Sequence, residues 1–113
     1  MESFGKLIKK LRSAKGLLLR EVAASLQVDP SLLSRIESNN KRATREHVVH
    51  LASILETDEN ELLIAYLSDN IIYQLQGEKL AIQAMSVAEK KIRYLSRQSH
   101  PSSKNTIKKN ESQ

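Results

Sequence analysis

The chain contains no cysteine. That excludes disulfides and any thiolate-ligated zinc or iron–sulfur centre, and it suits a reducing cytoplasm. Aromatic side chains are almost as scarce: Phe4, Tyr66, Tyr73 and Tyr94 are the whole set, 4% of 113 residues. A core built from this composition is necessarily aliphatic. Three glycines and two prolines are few for the tight turns of a sandwich or barrel, and the balance favours helices. No apolar run approaches the roughly 20 residues of a membrane span. The opening stretch, MESFGKLIKKLRSAKG, carries five basic residues and lacks the apolar segment of a signal peptide. A cytoplasmic protein with no membrane partner is expected. Catalytic equipment is missing too, since no Ser/His/Asp set, paired acids or phosphate-binding loop is visible. His47 and His50 stand three apart on a predicted helix, but without a third ligand nearby they read as surface residues. Neither enzymatic activity nor a metal, cofactor or small-molecule ligand is expected.

What is present is a chain that is 40% hydrophobic and 27% charged, long enough for one domain and a short appendage. Its charge is unevenly placed. Residues 1–58 hold ten Lys/Arg against seven Asp/Glu, residues 59–95 four against five, and residues 96–113 four against one. A basic first half beside a near-neutral middle points to a polyanionic partner for the first half.

Apolar residues recur at helical spacing along most of the chain. Phe4, Leu7, Ile8 and Leu11 make one face of a first helix, with Ser3 as its cap and Gly16 as its stop. Leu19 to Leu26 forms a second, with Val22, Ala23 and Leu26 inward. Asp29 caps a third, Pro30 falls in its first turn where a missing N–H does no harm, and Leu33 and Ile36 face inward. Thr44 caps a fourth with Val48, Leu51, Ala52 and Leu55 inward, and Asp58 with Glu61 opens a fifth, NELLIAYL. SDNIIYQLQ reads as a further helix ending at Gly77, and Glu78 to Leu95 as a longer one. The expected architecture is all-α: a five-helix domain over residues 1–67, a helical extension over 68–95, and a basic, disordered tail over 96–113.

Residues 4–67 resemble the helix-turn-helix domain of the phage repressor and Cro superfamily, the XRE family. The resemblance rests on Arg12 in the amphipathic first helix, Gly16-Leu17, Glu21-Val22-Ala23 and Leu26-x-Val28. It continues without a gap through Ser31-x-Leu33-Ser34-Arg35-Ile36-Glu37, Lys41-Arg42, His50-Leu51-Ala52 and Leu62. It implies a regulator of transcription that binds double-stranded DNA. Ser31, Leu32, Ser34 and Arg35 would then read bases from the third helix. Arg20, Ser38, Asn39, Asn40, Lys41, Arg42 and Arg45 would contact the sugar–phosphate backbone. The resemblance also implies a scaffold ion pair between Arg12 and Glu37.

Two departures from that family stand out. A polar cap followed by glutamine is usual at the start of the second helix, and Leu18 and Leu19 occupy those places. The turn between the second and third helices usually holds glycine, and here it is Gln27. One such unit grips little DNA, so a homodimer on a pseudo-palindromic operator is expected. Ala81, Met85, Ala88, Ile92 and Leu95 are spaced 4, 3, 4, 3 and supply a candidate dimerisation seam. A repressor or autoregulator is expected, and in size and domain the chain is also similar to the controller proteins of bacterial restriction–modification systems. The alternative is a protein-interaction module, an antitoxin or adaptor, using Leu18 and Leu19 as a contact patch.

Overall fold

Helix starts in this chain are set by short polar side chains. Ser3 Oγ accepts the Lys6 N–H at 3.2 Å, Asp29 Oδ1 that of Ser31 at 2.8 Å, Thr44 Oγ1 that of His47 at 3.1 Å, and Asp58 Oδ1 that of Glu61 at 3.1 Å. The computed structural model describes residues 2–99, and all regular structure among them is helical. Six helices follow in order: α1 Phe4–Ala14, α2 Leu19–Leu26, α3 Pro30–Glu37, α4 Arg45–Ile54, α5 Glu59–Gln74 and α6 Ala81–Ser99. None of them is long and apolar enough to cross a membrane. The chain divides into two units between Gln74 and Leu75.

Helix α2 is the exception at its start. Leu18 occupies the cap position and has no oxygen to offer, but Glu21 reaches back and accepts the Leu18 N–H at 2.7 Å. Half of a capping box therefore survives the loss of the polar cap. Helix ends follow one pattern four times. After α1, α2, α3 and α4 a residue turns left-handed: Gly16 (φ 68°), Gln27 (φ 62°), Asn39 (φ 64°) and Glu56 (φ 52°). The next N–H then bonds a carbonyl five residues back, Leu17 to Arg12 at 3.1 Å, Val28 to Ala23 at 3.0 Å, Asn40 to Arg35 at 2.8 Å and Thr57 to Ala52 at 3.0 Å. This closure satisfies carbonyls that the helix leaves unpaired. Only one of the four positions is glycine.

In the first unit α4 packs on α5 and α2, and α3 on α1 and α2. Ile8, Val22, Leu33, Ile36, Val48, Leu51, Leu55 and Leu62 are almost wholly removed from water. Each contributes about 1.5–3 kcal/mol of burial, and together they form an aliphatic centre as the composition requires. Phe4 and Tyr66 add an edge-to-face contact with centroids 5.8 Å apart. Where α1 crosses α3, Gly5 lies against the chain of its neighbour. A Cβ there would run into the Ile36 carbonyl and come within 2.8 Å of the Glu37 carbonyl.

Helix α5 differs from the sequence expectation. NELLIAYL and SDNIIYQLQ form one continuous helix through Gln74. Nothing at the junction stops it: there is no glycine or proline, and Ser68 Oγ donates to the Ala65 carbonyl at 2.9 Å within the helix. Its continuation has a consequence at the other end of the unit, because Asp69 Oδ2 accepts the Phe4 N–H at 2.7 Å and so helps to cap α1.

The second unit contains α6. It starts at Ala81 rather than Glu78, since Glu78 sits ahead of the helix and its carboxylate accepts the Leu80 N–H at 2.9 Å. It continues past Leu95 to Ser99, so residues 96–99 of the expected tail are helical. The rest of that tail, 100–113, lies outside the described residues. Met85, Ile92 and Leu95 along the expected seam are exposed.

Candidate nucleic-acid interface

Helix α3 and the residue that ends it separate cleanly into two faces. Leu33, Ile36 and Glu37 are buried, and Ser31, Ser34, Arg35 and Ser38 are exposed. At about 3.6 residues per turn the latter four fall on one side. Leu32, also expected among the base readers, is half-buried against the core. It lies one residue round the helix from Ser31, on the flank between the faces.

Glu37 is the buried charge that holds this helix. Its Oε2 accepts from Arg12 Nε at 2.7 Å and its Oε1 from Arg12 Nη2 at 3.0 Å. The remaining guanidinium arm, Nη1, donates to the Leu17 carbonyl at 2.9 Å. One arginine thus ties α1, the turn before α2 and the end of α3 together. The hydrogen bond to Glu37 raises the Arg12 pKa above its already high ordinary value, so the guanidinium keeps its charge.

On the exposed face the side chains are not equally available. Ser31 Oγ donates to Asp29 Oδ1 at 2.6 Å, and this bond, with that from the Ser31 N–H, holds the Asp29 carboxyl below its usual range. Ser38 Oγ turns back onto the Ser34 carbonyl at 3.0 Å. Arg35 extends from the middle of the face, and no carboxylate among the described residues pairs with it. It is the strongest free donor on α3, and its fork matches the O6 and N7 acceptors of guanine.

Around this face lie the expected backbone contacts. Asn39 Nδ2 donates to Ser3 Oγ at 2.8 Å and Asn40 Nδ2 to Ser38 Oγ at 3.2 Å, so both amides have partners inside the protein. Arg20, Lys41 and Arg45 are exposed, and no ion pair engages them among the described residues. Arg42 places its guanidinium carbon 4.5 Å from the centre of the Tyr73 ring, on the last turn of α5. Tyr73, Asp69 and Gly5 have no counterpart in the sequence reading. Only a helix continuing past Leu67 brings the first two into reach, and the third needs the crossing of α1 over α3.

The three leucines at the start of α2 are resolved by burial. Leu17 and Leu19 are half-buried and pack against the core, and Leu18 alone is exposed, at 45%. Of the Leu18 and Leu19 pair, Leu18 is the more exposed member. His47 Nδ1 accepts the Thr44 N–H at 3.2 Å, a capping role, and no cluster of three metal-ligating side chains occurs among the described residues.

Residues 5–68 match the model of a family described as a helix-turn-helix domain. Among solved structures the chain is similar to the clp gene regulator ClgR from Corynebacterium glutamicum. That likeness has 23% sequence identity and a TM-score of 0.52, and covers 87% of this chain and 90% of the other. At this identity it is a likeness of fold. No curated protein matches the chain.

Proposed function

Because the chain belongs to the helix-turn-helix domain family, we propose that it is a sequence-specific regulator of transcription that inserts α3 into the major groove of double-stranded DNA. The observation that carries this reading is the partition of α3. Its inner face is fixed by Leu33, Ile36 and the Arg12–Glu37 pair, and its outer face offers Arg35, without an ion-pair partner among the described residues, between small hydroxyl residues. Small neighbours let the helix approach base edges closely, while the arginine supplies discrimination of about 1–3 kcal/mol for a guanine. Arg20, Lys41, Arg42 and Arg45 supply the charge that meets phosphates on either side. The fold shared with ClgR, itself a gene regulator, is in keeping with this reading.

Dimerisation through α6 completes the proposal. Met85, Ile92 and Leu95 lie on one stripe at heptad spacing that also holds the small residues Ala81 and Ala88, and the three large ones are exposed. Two α3 helices related by a twofold would then address the two half-sites of a pseudo-palindrome. Salt titration of duplex binding tests the electrostatic half of this reading. Each phosphate contact contributes about −0.9 to the slope of log affinity against log salt, and replacing Lys41 or Arg45 should remove about one such step. A slope near zero would contradict it.

A second reading is favoured by one feature. Ile64, Leu67 and Ile71 form an exposed apolar stripe on α5, spaced three and four apart. A protein-interaction module would use such a surface, and it would bind its partner with no affinity for duplex DNA at low salt.

A further inference from the structure

We propose that Tyr73 is a positioning residue for DNA binding, holding the Arg42 guanidinium where it meets a phosphate; this rests on the DNA-binding reading of α3 and the loop after it. The main chain on both sides of Arg42 is already fixed. The Lys41 N–H donates to the Arg35 carbonyl at 3.2 Å, and Ala43 is buried at 6% exposure. What remains undetermined is the side chain, whose several rotatable bonds lose freedom whenever it is held in one place. Tyr73 holds it without DNA. The guanidinium carbon lies over the ring, 4.5 Å from its centre, an attraction between cation and π-face.

This contact engages the guanidinium through its charge and not through a hydrogen bond. No hydrogen bond or ion pair among the described residues takes up its N–H donors, which stay available for phosphate oxygens. No carboxylate among the described residues neutralises the charge. A salt bridge in the same place would compete with DNA for those donors, whereas an aromatic ring orders the arginine and leaves its charge intact. Pre-ordering of this kind lowers the entropy lost on binding. Tyr73 also lies beyond residues 5–68, the part matched by the family model, on the last turn of α5. At 62% exposure it has no part in the core, so its replacement leaves the fold standing.

The test uses the full chain and a mixed-sequence duplex of about 30 base pairs at low salt, where phosphate contacts dominate. Tyr73→Ala should weaken binding by roughly two- to fivefold, the range of an exposed cation–π contact. Tyr73→Phe, which keeps the ring, should bind like the parent. In the Arg42→Ala background Tyr73→Ala should have no further effect, which a general loss of structure would not reproduce. The salt slope should stay unchanged in Tyr73→Ala, because the cation remains, and become shallower by about one phosphate in Arg42→Ala. Unchanged or tighter binding by Tyr73→Ala, or an equal loss with and without Arg42, would overturn the role of Tyr73 while leaving the DNA reading in place. Absence of duplex binding by the parent chain would overturn both.

Discussion

Arg12 and Glu37, 25 residues apart in the chain, face each other through two hydrogen bonds of 2.7 and 3.0 Å, with side-chain exposures of 13% and 5%. So small an exposure makes the pair costly to break singly. Arg12→Ala leaves a carboxylate without a partner beneath α3, and Glu37→Ala leaves a guanidinium. Either should destabilise the fold by about 3–5 kcal/mol. Replacing both with apolar residues of similar volume should recover much of that loss. Urea unfolding of the two single variants and one double variant checks this, and equal losses in all three would show that ionic pairing is not the source.

Gly5 should tolerate no side chain. Alanine there gains about 1 kcal/mol of helix propensity, yet its Cβ would meet the backbone carbonyls of Ile36 and Glu37, which cannot rotate away. Overpacking of this kind costs typically about 1–3 kcal/mol. The close meeting of α1 with α3 makes the upper end apply, so Gly5→Ala should lower the melting temperature despite the better helix former. A stabilised variant would mean that α1 slides along α3 at little cost.

Gln27 should respond in the opposite way. Its φ of 62° and ψ of 44° are left-handed, a strain of about 1 kcal/mol for a residue with a Cβ. Gln27→Gly should stabilise by a few tenths to about 1 kcal/mol once glycine's greater freedom in the unfolded chain is subtracted. Gln27→Val should destabilise, because a branched Cβ fits that region worst. Thermal melts that fail to rank Gly above Gln above Val would contradict the left-handed assignment.

The cap of α3 should fail in acid. Hydrogen bonds from Ser31, side chain first and then backbone, lower the Asp29 pKa in the folded state. A lowered carboxylate pKa contributes stability above its unfolded value, and that contribution is lost as pH falls through the folded value. The window therefore lies below the ordinary aspartate range, at about pH 4 and lower. The Asp29→Asn variant keeps a capping side chain that carries no charge and does not titrate. The stability difference between parent and Asp29→Asn should narrow on acidification through that window, and a constant difference would remove Asp29 from the acid response.

Much of the fold is readable from the residues, and the limits have a physical origin. Caps and inner faces depend on neighbours three or four positions away, so Ser3, Asp29 and Thr44, and the buried Val48 and Leu51, follow from spacing alone. The family resemblance draws attention to Arg12 and Glu37, while their distances and burial come from the fold. The length of α5 escapes a reading by pattern because the polar SDN run looks like a boundary, although no residue in it stops a helix. With that length goes the reach of Asp69 to α1 and of Tyr73 to Arg42. Leu18 and Leu19 read as a departure toward a new surface, yet Leu19 packs against the core. The partners of the hydroxyl and amide groups expected at the DNA escape a reading by pattern for a similar reason. Ser31, Ser38, Asn39 and Asn40 bond within the protein, and composition cannot reveal such partnerships.

Selection of bound duplexes from a random pool tests the central claim most directly, run in parallel on the parent chain and Arg35→Ala. Arg35 stands at the middle of the exposed α3 face with no ion-pair partner among the described residues, so the parent should enrich inverted half-sites with a guanine at one fixed position in each. Arg35→Ala should enrich the same half-site spacing with that guanine no longer preferred. An unchanged preference in Arg35→Ala, or no enrichment by the parent, would contradict the assignment of α3 as the helix that reads DNA.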